Sequence, residues 1–409
     1  MASSENSGTS PVNYLRGRIA TESGIIDDGV LAYDGDRIAY AGPAAGFRGG
    51  DTEPERTFPP GSLVLPGLVD THCHGANGGD FTSGDATQAR MAIDFLQRSG
   101  TTTSLASTMT APPADLLRAL SVLAELAEEG LIAGIHAEGP FVSTVRCGAQ
   151  NPDHIVAPTP EYVAALIDAA RGRMKTMTYA PELPGADALI DELTTHGITP
   201  SLGHTDCDTS TAAASLALAW EEMDSTGFDG YTGRPTVTHL FNGMPPLHHR
   251  SPGPVAACLR IAKAGNAVVE LIADNAHLDP QTVLTVFELV GAENITLVTD
   301  SMAATGLPDG AYHLGSSAVT VTDGVATLDR TGSLAGGTAV LLDVVRRTVA
   351  AGVPLLDAIT SATVVPANVL GLADELGSLR LGLRADAVVV SPDLHLLAVL
   401  REGVWLAPL

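Results

Sequence analysis

Five short apolar runs, each stopping at a histidine or an acid, limit what this chain can fold into more than any other feature. They are LVLPGLVDTHCHG (His72, His74), LIAGIHAEGPF (Glu138), ITPSLGHTD (His204), TVTHLFNGM (His239) and NITLVTDSM (Asp300). Each is rich in Val, Ile, Leu or Thr, residue types that suit a buried pleated strand. Helix-like stretches separate them. Strands alternating with helices build a parallel sheet, and a closed barrel of such strands carries its active site on the rim at their C-terminal ends. The five endings therefore share one rim, and the chain reads as a metal-dependent enzyme.

The alternation predicts eight strands, over 63–74, 101–108, 131–138, 174–181, 198–204, 235–241, 267–273 and 295–300. Helices are expected near 86–99, 113–129, 160–171, 186–196, 209–222, 253–264 and 279–290. This is the count of an α/β fold of the (β/α)8 TIM barrel type, placed at residues 63–370 with a hairpin at about 312–330 and further helices at about 338–370. Residues 14–62 and 371–409 read as short strands, punctuated by turns such as Asp34-Gly35 and Gly49-Gly50. Both ends together are expected to form one small β-sandwich. Residues 1–13 are polar, with neither the basic stretch nor the apolar stretch of a signal peptide, and read as a disordered tail.

A chain of 409 residues suits one large barrel with a small appended domain. Its net charge, 22 − 47 = −25, argues against a nucleic-acid partner, because phosphate backbones need a basic surface. A small anionic substrate needs only a local cationic pocket. No apolar run reaches transmembrane length, so no membrane partner is expected. The four cysteines (Cys73, Cys147, Cys207, Cys258) form no CxxC pair, which fits a reducing cytoplasm.

On a strand, residues i and i+2 face the same side, so His72 and His74 both face the barrel interior. Two imidazoles there can share a divalent metal; the plainer reading is a hydrogen-bonded core pair. Gly139-Pro140 ends the third strand and leaves Glu138 at the rim, where a buried carboxylate needs a cation or strong donors. With His204 and His239 it makes a Glu/His/His set that suits Zn2+ with a position open to water, though Fe2+, Co2+ or Mn2+ also fit such donors. His136 shares the inward face and is read as supporting. Asp300 can take a proton from water and return it to a leaving group, or it can cap a helix. His277 can donate to a substrate carbonyl, or it is a loop histidine with a solvent partner. The segment from Asn242 and Gly243 to His248-His249-Arg250 is the basic cluster near the rim. Gly243 permits close backbone approach and Arg250 can grip an oxyanion with two donors. No GxxxxGK[ST] occurs, which removes a nucleoside-triphosphate P-loop.

These residues resemble the amidohydrolase superfamily, and within it the N-acetylglucosamine-6-phosphate deacetylases. The likeness runs over nearly the whole chain: PGLVDTHCHG, HAEGPF, SLGHTD, THLFNGMPPLHHR, IADNAHLDP, VTDSMAATG and GSLAGG, in that order. It implies hydrolysis of the N-acetyl group of an amino-sugar 6-phosphate. It implies that Glu138, His204 and His239 hold the principal metal, that His72 and His74 form a second site, and that one or two ions bind per subunit. It implies Asp300 as the catalytic acid and base and His277 as the group that polarises the carbonyl. It further implies substrate contacts from Ala149, Gln150, Asn242, Gly243, Leu334, Ala335 and Gly336, and a homodimer in which Arg250 reaches a neighbouring subunit's site. Gln150 departs from the histidine of some members and Gly243 from a common alanine. Many amidohydrolases bridge two metals with a carbamylated lysine after strand four; here Lys175 lies at that strand's start, which points to Glu138 as the shared ligand. The galacto epimer, a cyclic amide or a nucleobase remain alternative substrates, and a non-catalytic scaffold is disfavoured because every ligand position is filled.

Overall fold

Val-, Ile- and Thr-rich segments form one sheet of eight parallel strands: β1 (Leu68–Asp70), β2 (Thr101–Thr108), β3 (Gly134–Glu138), β4 (Met174–Tyr179), β5 (Thr199–Leu202), β6 (Thr236–Val237), β7 (Val268–Leu271) and β8 (Ile295–Leu297). The structure is a computed structural model that describes residues 13–48, 54–226 and 233–409. The expected tail lies outside the described residues except for Asn13, which opens a strand, and the Gly49-Gly50 turn lies outside them as well. Each strand pairs with its sequence neighbour, the order of a sheet closing into a barrel. The two ends of the sheet meet just beyond β1 and β8. Cys73 and Ser301 form a parallel bridge, Asp300 N donates to His72 O at 2.8 Å, and His74 N donates to Ser301 O at 2.7 Å. The buried Asp70 carboxylate reinforces this seam by accepting from Thr299 Oγ1 at 2.6 Å.

The helices outside the barrel are α1 (Ala86–Arg98), α2 (Pro113–Glu128), α3 (Pro160–Ala169), α4 (Ala186–Thr195), α5 (Thr209–Ser225), α6 (Gly253–Lys263), α7 (Pro280–Val290) and α8 (Leu341–Ala350), followed by α9 (Leu355–Ala362) and α10 (Val364–Val369). Their starts carry the expected signals: Asp85, Thr159, Asp208 and Asp279 accept from first-turn N–H groups, and Pro begins α2, α3 and α7. On α1, Ala89, Ala92, Ile93 and Leu96 are buried at helical spacing. The hairpin expected at about 312–330 is a three-stranded antiparallel sheet, Gly310–Leu314, Ser317–Thr322 and Val325–Leu328.

The two termini build a second, seven-stranded mixed sheet. Its strand order is Val404–Trp405, Leu396–Arg401, Ala387–Val390, Leu63–Pro66, Asn13–Thr21, Gly24–Asp34, Arg37–Pro43. The segment read as one strand over 63–74 is therefore divided. Leu63–Pro66 pairs with Ala387–Val390 and with Arg18 and Ile19, while the barrel strand starts at Leu68. Gly67 between them passes so close to β2 that a Cβ there would fall 2.2 Å from Thr102 Oγ1. Period-2 alternation lets these strands serve two cores. Leu63, Leu65, Val388 and Val390 pack into the barrel core; Val64, Ala387 and Val389 pack into a smaller core with Leu15, Ile19, Leu31 and Tyr33.

Leu65 is fully buried at this junction, whereas Leu381 is 74% exposed. Leu65→Ala should cost about 2–5 kcal/mol and lower the midpoint of chemical unfolding. Leu381→Ala should leave the midpoint within error, as read by the same denaturant titration.

Candidate metal centre

Three of the rim residues lie just past the regular ladder. β5, β6 and β8 end at Leu202, Val237 and Leu297, and His204, His239 and Asp300 follow with φ of 45°, 29° and 49°. A non-glycine residue in the left-handed region costs roughly 1–3 kcal/mol and persists only where its surroundings hold it. Here they do. His239 N donates to Glu270 Oε2 at 3.1 Å and its carbonyl accepts from Asn242 N at 2.9 Å. Asp300 is tied through N to His72 O and through O to Gly337 N at 2.6 Å. The His204 carbonyl accepts from Ser143 N at 2.8 Å.

The six side chains converge in two groups that share a carboxylate. Glu138, His204 and His239 form one group, and His72, His74 and Asp300 the other; within each, the ligand atoms lie within 4.8 Å of one another and every residue is buried. Glu138 Oε1 is 2.9 Å from both His204 Nε2 and His239 Nε2, and those two nitrogens are 3.1 Å apart. Glu138 Oε2 is 3.2 Å from His74 Nε2. His74 Nε2 is 3.1 Å from Asp300 Oδ1 and 3.2 Å from His72 Nε2.

The outer nitrogens set the tautomers. His204 Nδ1 donates to Arg146 O at 2.8 Å, His74 Nδ1 to Ser107 O at 3.3 Å, and His72 Nδ1 to the Glu270 carboxylate at 2.9 Å. Carbonyls and ionised carboxylates only accept, so each proton sits on Nδ1 and the Nε2 lone pairs face one another. Opposed lone pairs about 3 Å apart repel unless a cation lies between them. Tetrahedral zinc with Zn–N of about 2.0–2.1 Å has ligand–ligand edges of about 3.3 Å, close to the spacing found. The residues thus fit a divalent cation. The field agrees. Burial opposes charge on His72 and His74, yet the surrounding carboxylates outweigh it: without a metal they draw a proton to these rings and raise their pKa values to about 9 and about 10, and a divalent cation would answer the same field. Burial likewise opposes charge on Glu138, but His204, His239 and His74 hold its carboxyl well below the usual range. His136 is bonded through both nitrogens, to Ser107 Oγ at 2.9 Å and Thr178 Oγ1 at 2.8 Å, which leaves it no lone pair for a metal. Lys175 lies beside Gly134, where β3 begins, at the opposite end of the barrel from Glu138.

A cavity of about 230 Å³ opens on the two groups. Of the residues read from sequence as substrate contacts, Ala149, Gln150, Asn242, Gly243, His277, Leu334 and Gly336 line it. Two do not. Ala335 is fully buried among Met302, Leu314 and Leu328, in a small core shared with the three-stranded sheet. Arg250 lies on the exposed loop beside a separate hollow with Asp206 and Arg260, its guanidinium 2.7 Å from His249 Nε2. Gln150 is committed: Thr110 N donates to its Oε1 at 2.7 Å, so the amide nitrogen must be the donor to Glu138 Oε2 at 2.6 Å. Sequence reading missed Glu270, which touches both metal groups, and the role of Asp274 beneath His277. An acid inside the apolar run AVVELIA was the available signal for Glu270. Met109 and Leu314 also line the cavity with no sequence signal to mark them, and Ser333, inside the GSLAGG run, lines it too.

Residues 63–406 match the sequence model of the amidohydrolase family. An N-acetylglucosamine-6-phosphate deacetylase of Bacillus subtilis (strain 168) is 34% identical over 399 residues, 94% of either chain. An N-acetylgalactosamine-6-phosphate deacetylase of Escherichia coli O157:H7 is 31% identical, over 94% of this chain and 97% of the relative. The solved structure of a mutant N-acetyl-D-glucosamine-6-phosphate deacetylase from Mycobacterium smegmatis, in complex with N-acetyl-D-glucosamine-6-phosphate, is 36% identical; it superposes with a TM-score of 0.88 over 97% of this chain and 100% of that one. With these matches spanning barrel, terminal sheet and both buried ligand groups, the chain belongs to the amidohydrolase family.

Proposed function

We propose that this protein hydrolyses the N-acetyl group of N-acetylglucosamine-6-phosphate, giving glucosamine-6-phosphate and acetate. The observation that carries this is the convergence of six metal-capable side chains, Asp300 among them, beside a cavity that His277 also lines. Relatives of that activity match over most of the chain. The galacto epimer is the second reading, favoured by the likeness to the Escherichia coli relative.

Glu138, His204 and His239 would hold one divalent cation, and His72, His74 and Asp300 a second, which would supply Lewis acidity toward water and the amide carbonyl. The Glu/His/His donors favour Zn2+; Fe2+, Co2+ and Mn2+ share the preference for such ligands. Asp300 does the proton work. Burial pushes its carboxyl up, but the positive charge gathered at His72 and His74, on the rings or on a cation they would hold, outweighs that and keeps it ionised and able to accept. It takes a proton from the attacking water and passes it to the departing amine nitrogen. His277 faces the acetamide oxygen as negative charge gathers there. The walls at Ala149, Gly243 and Leu334 hold the sugar.

Among the described residues no lysine or arginine lines the cavity, yet a phosphate dianion needs a cationic partner. Arg250 is exposed on the neighbouring loop and supports a homodimer in which it enters the other subunit's site. The cysteines Cys73, Cys147, Cys207 and Cys258 are all free, and among the described residues no helix is long and apolar enough to cross a membrane. Both support action in the cytoplasm.

Acetate release should be rapid from N-acetylglucosamine-6-phosphate, much slower from its galacto epimer and slower still from unphosphorylated N-acetylglucosamine. Equal rates on the two epimers would give the galacto reading equal standing. Chelation should abolish turnover and added Zn2+ restore it; activity unaffected by removal of all metal would end the metal reading. Asp300→Asn should lower kcat by about 10²–10⁴-fold with KM changed little. Arg250→Ala should act mainly on KM. Mixing that variant with Asp300→Asn and reassembling dimers should recover activity, because one site then has its own Asp300 and the partner's arginine. No recovery would place Arg250 in its own chain's site or outside catalysis.

A further inference from the structure

His277 reaches the cavity through a hydrogen-bond chain that begins outside it. Asp274 follows β7 by a short step and folds its carboxylate back over the next three residues. Oδ1 accepts from Ala276 N at 2.9 Å and His277 N at 2.7 Å, and Oδ2 accepts from His277 Nδ1 at 2.8 Å. From α8, Arg347 Nη1 donates to the Asp274 carbonyl at 2.6 Å and fixes that backbone from behind. Burial opposes ionisation of Asp274, but the His277 ring and these N–H donors hold its carboxyl below the usual range. An ionised carboxylate only accepts, so the proton of this contact sits on His277 Nδ1.

That assignment limits what the other ring nitrogen can do. A neutral His277 presents a lone pair at Nε2 to the cavity. A lone pair repels an acetamide oxygen, and repels it more as the oxygen becomes anionic. A carbonyl-polarising role needs an N–H there, and with Nδ1 already protonated the ring must then carry both protons. The Asp274 carboxylate stabilises that positive charge, in the way a buried acid serves the imidazolium of a catalytic triad. Among the other charged groups, Asp300 acts in the same direction and His72 against it.

We propose that Asp274 is a positioning residue that keeps His277 an imidazolium, so that Nε2–H donates to the oxyanion formed from the substrate's acetamide. The oxyanion role rests on the deacetylase reading above; the protonation state does not.

The test reads the ring nitrogens directly. Zinc-loaded protein labelled with 15N-histidine would be studied by NMR at pH 7.5, about one unit above the ordinary histidine pKa, with His277 assigned from the signal lost in His277→Asn. Wild type should show both His277 nitrogens protonated. In Asp274→Asn the two backbone N–H donors keep the amide oxygen, which turns the amide nitrogen toward Nδ1. The ring should then become neutral with its single proton on Nε2, and metal content should match wild type. That neutral donor is weaker, so kcat should fall by about 10–100-fold with KM within a few-fold. A wild-type enzyme that releases acetate while His277 is neutral with a bare Nε2 would overturn the proposal and leave the deacetylase reading intact. So would an Asp274→Asn variant whose kcat is unchanged or whose loss lies wholly in KM. A chain that releases no acetate fails the deacetylase reading, and the wild-type ring spectrum still decides whether Asp274 keeps His277 doubly protonated.

Discussion

One buried carboxylate ties the rim together. Glu138 ends β3 and is in contact with residues from three other strand ends and from one loop: Oε1 meets His204 and His239, while Oε2 meets His74 and the Gln150 amide. An isolated carboxylate at that depth would be costly enough to protonate. Convergent nitrogens and a cation remove that penalty, and they can converge only if the barrel closes. The seam between β1 and β8 supplies the closure, and it brings His72, His74 and Asp300 across from β3. Fold and site are therefore one constraint. Opening the seam would strand the charges, and removing the charges would leave histidines with opposed lone pairs.

The left-handed backbone at His204, His239 and Asp300 follows from the same demand. An extended strand sends alternate side chains inward and outward, and a ligand set needs several Nε2 atoms at one height. Turning the backbone at the strand's end re-aims the side chain without adding a residue to the ladder. The cost is met by hydrogen bonds from the surroundings, among them those with Glu270 on β7, with Ser143 and with Gly337.

Much of this was legible in the chain. The eight-fold alternation and the helix starts stand in the sequence because period-2 and helical spacing are local properties. The residues that converge in the two buried groups were legible because a histidine or acid at the end of an apolar run has few structural uses. What stayed hidden was non-local. Leu63–Pro66 reads as a barrel strand, and only its partner some 325 residues later assigns it to the terminal sheet. Glu270 looked like one acid in a hydrophobic strand, and its link to His72 spans 198 residues. Asp274 was visible as a residue, but its effect on the ring beyond it depends on which nitrogen it contacts. Ala335 shares a motif with Leu334 and Gly336, but alternation turns it into the small core of the three-stranded sheet.

The two departures from the family's pattern bear on how the metal groups differ. Gly243 has φ of 61°, and a Cβ there would sit 2.7 Å from His204 Nδ1. The glycine lets the loop after β6 lie against the back of that ring, whose Nδ1 is already committed to Arg146 O. Gln150, for its part, donates to Glu138 Oε2, the oxygen that faces His74. A donor on Oε2 competes with any cation for that lone pair, whereas Oε1 meets only His204 and His239 at close range. The shared carboxylate is thus unevenly divided. Its unencumbered oxygen serves the Glu138, His204 and His239 group, and its encumbered oxygen serves the His72 and His74 group, so the first group should hold its cation more tightly than the second.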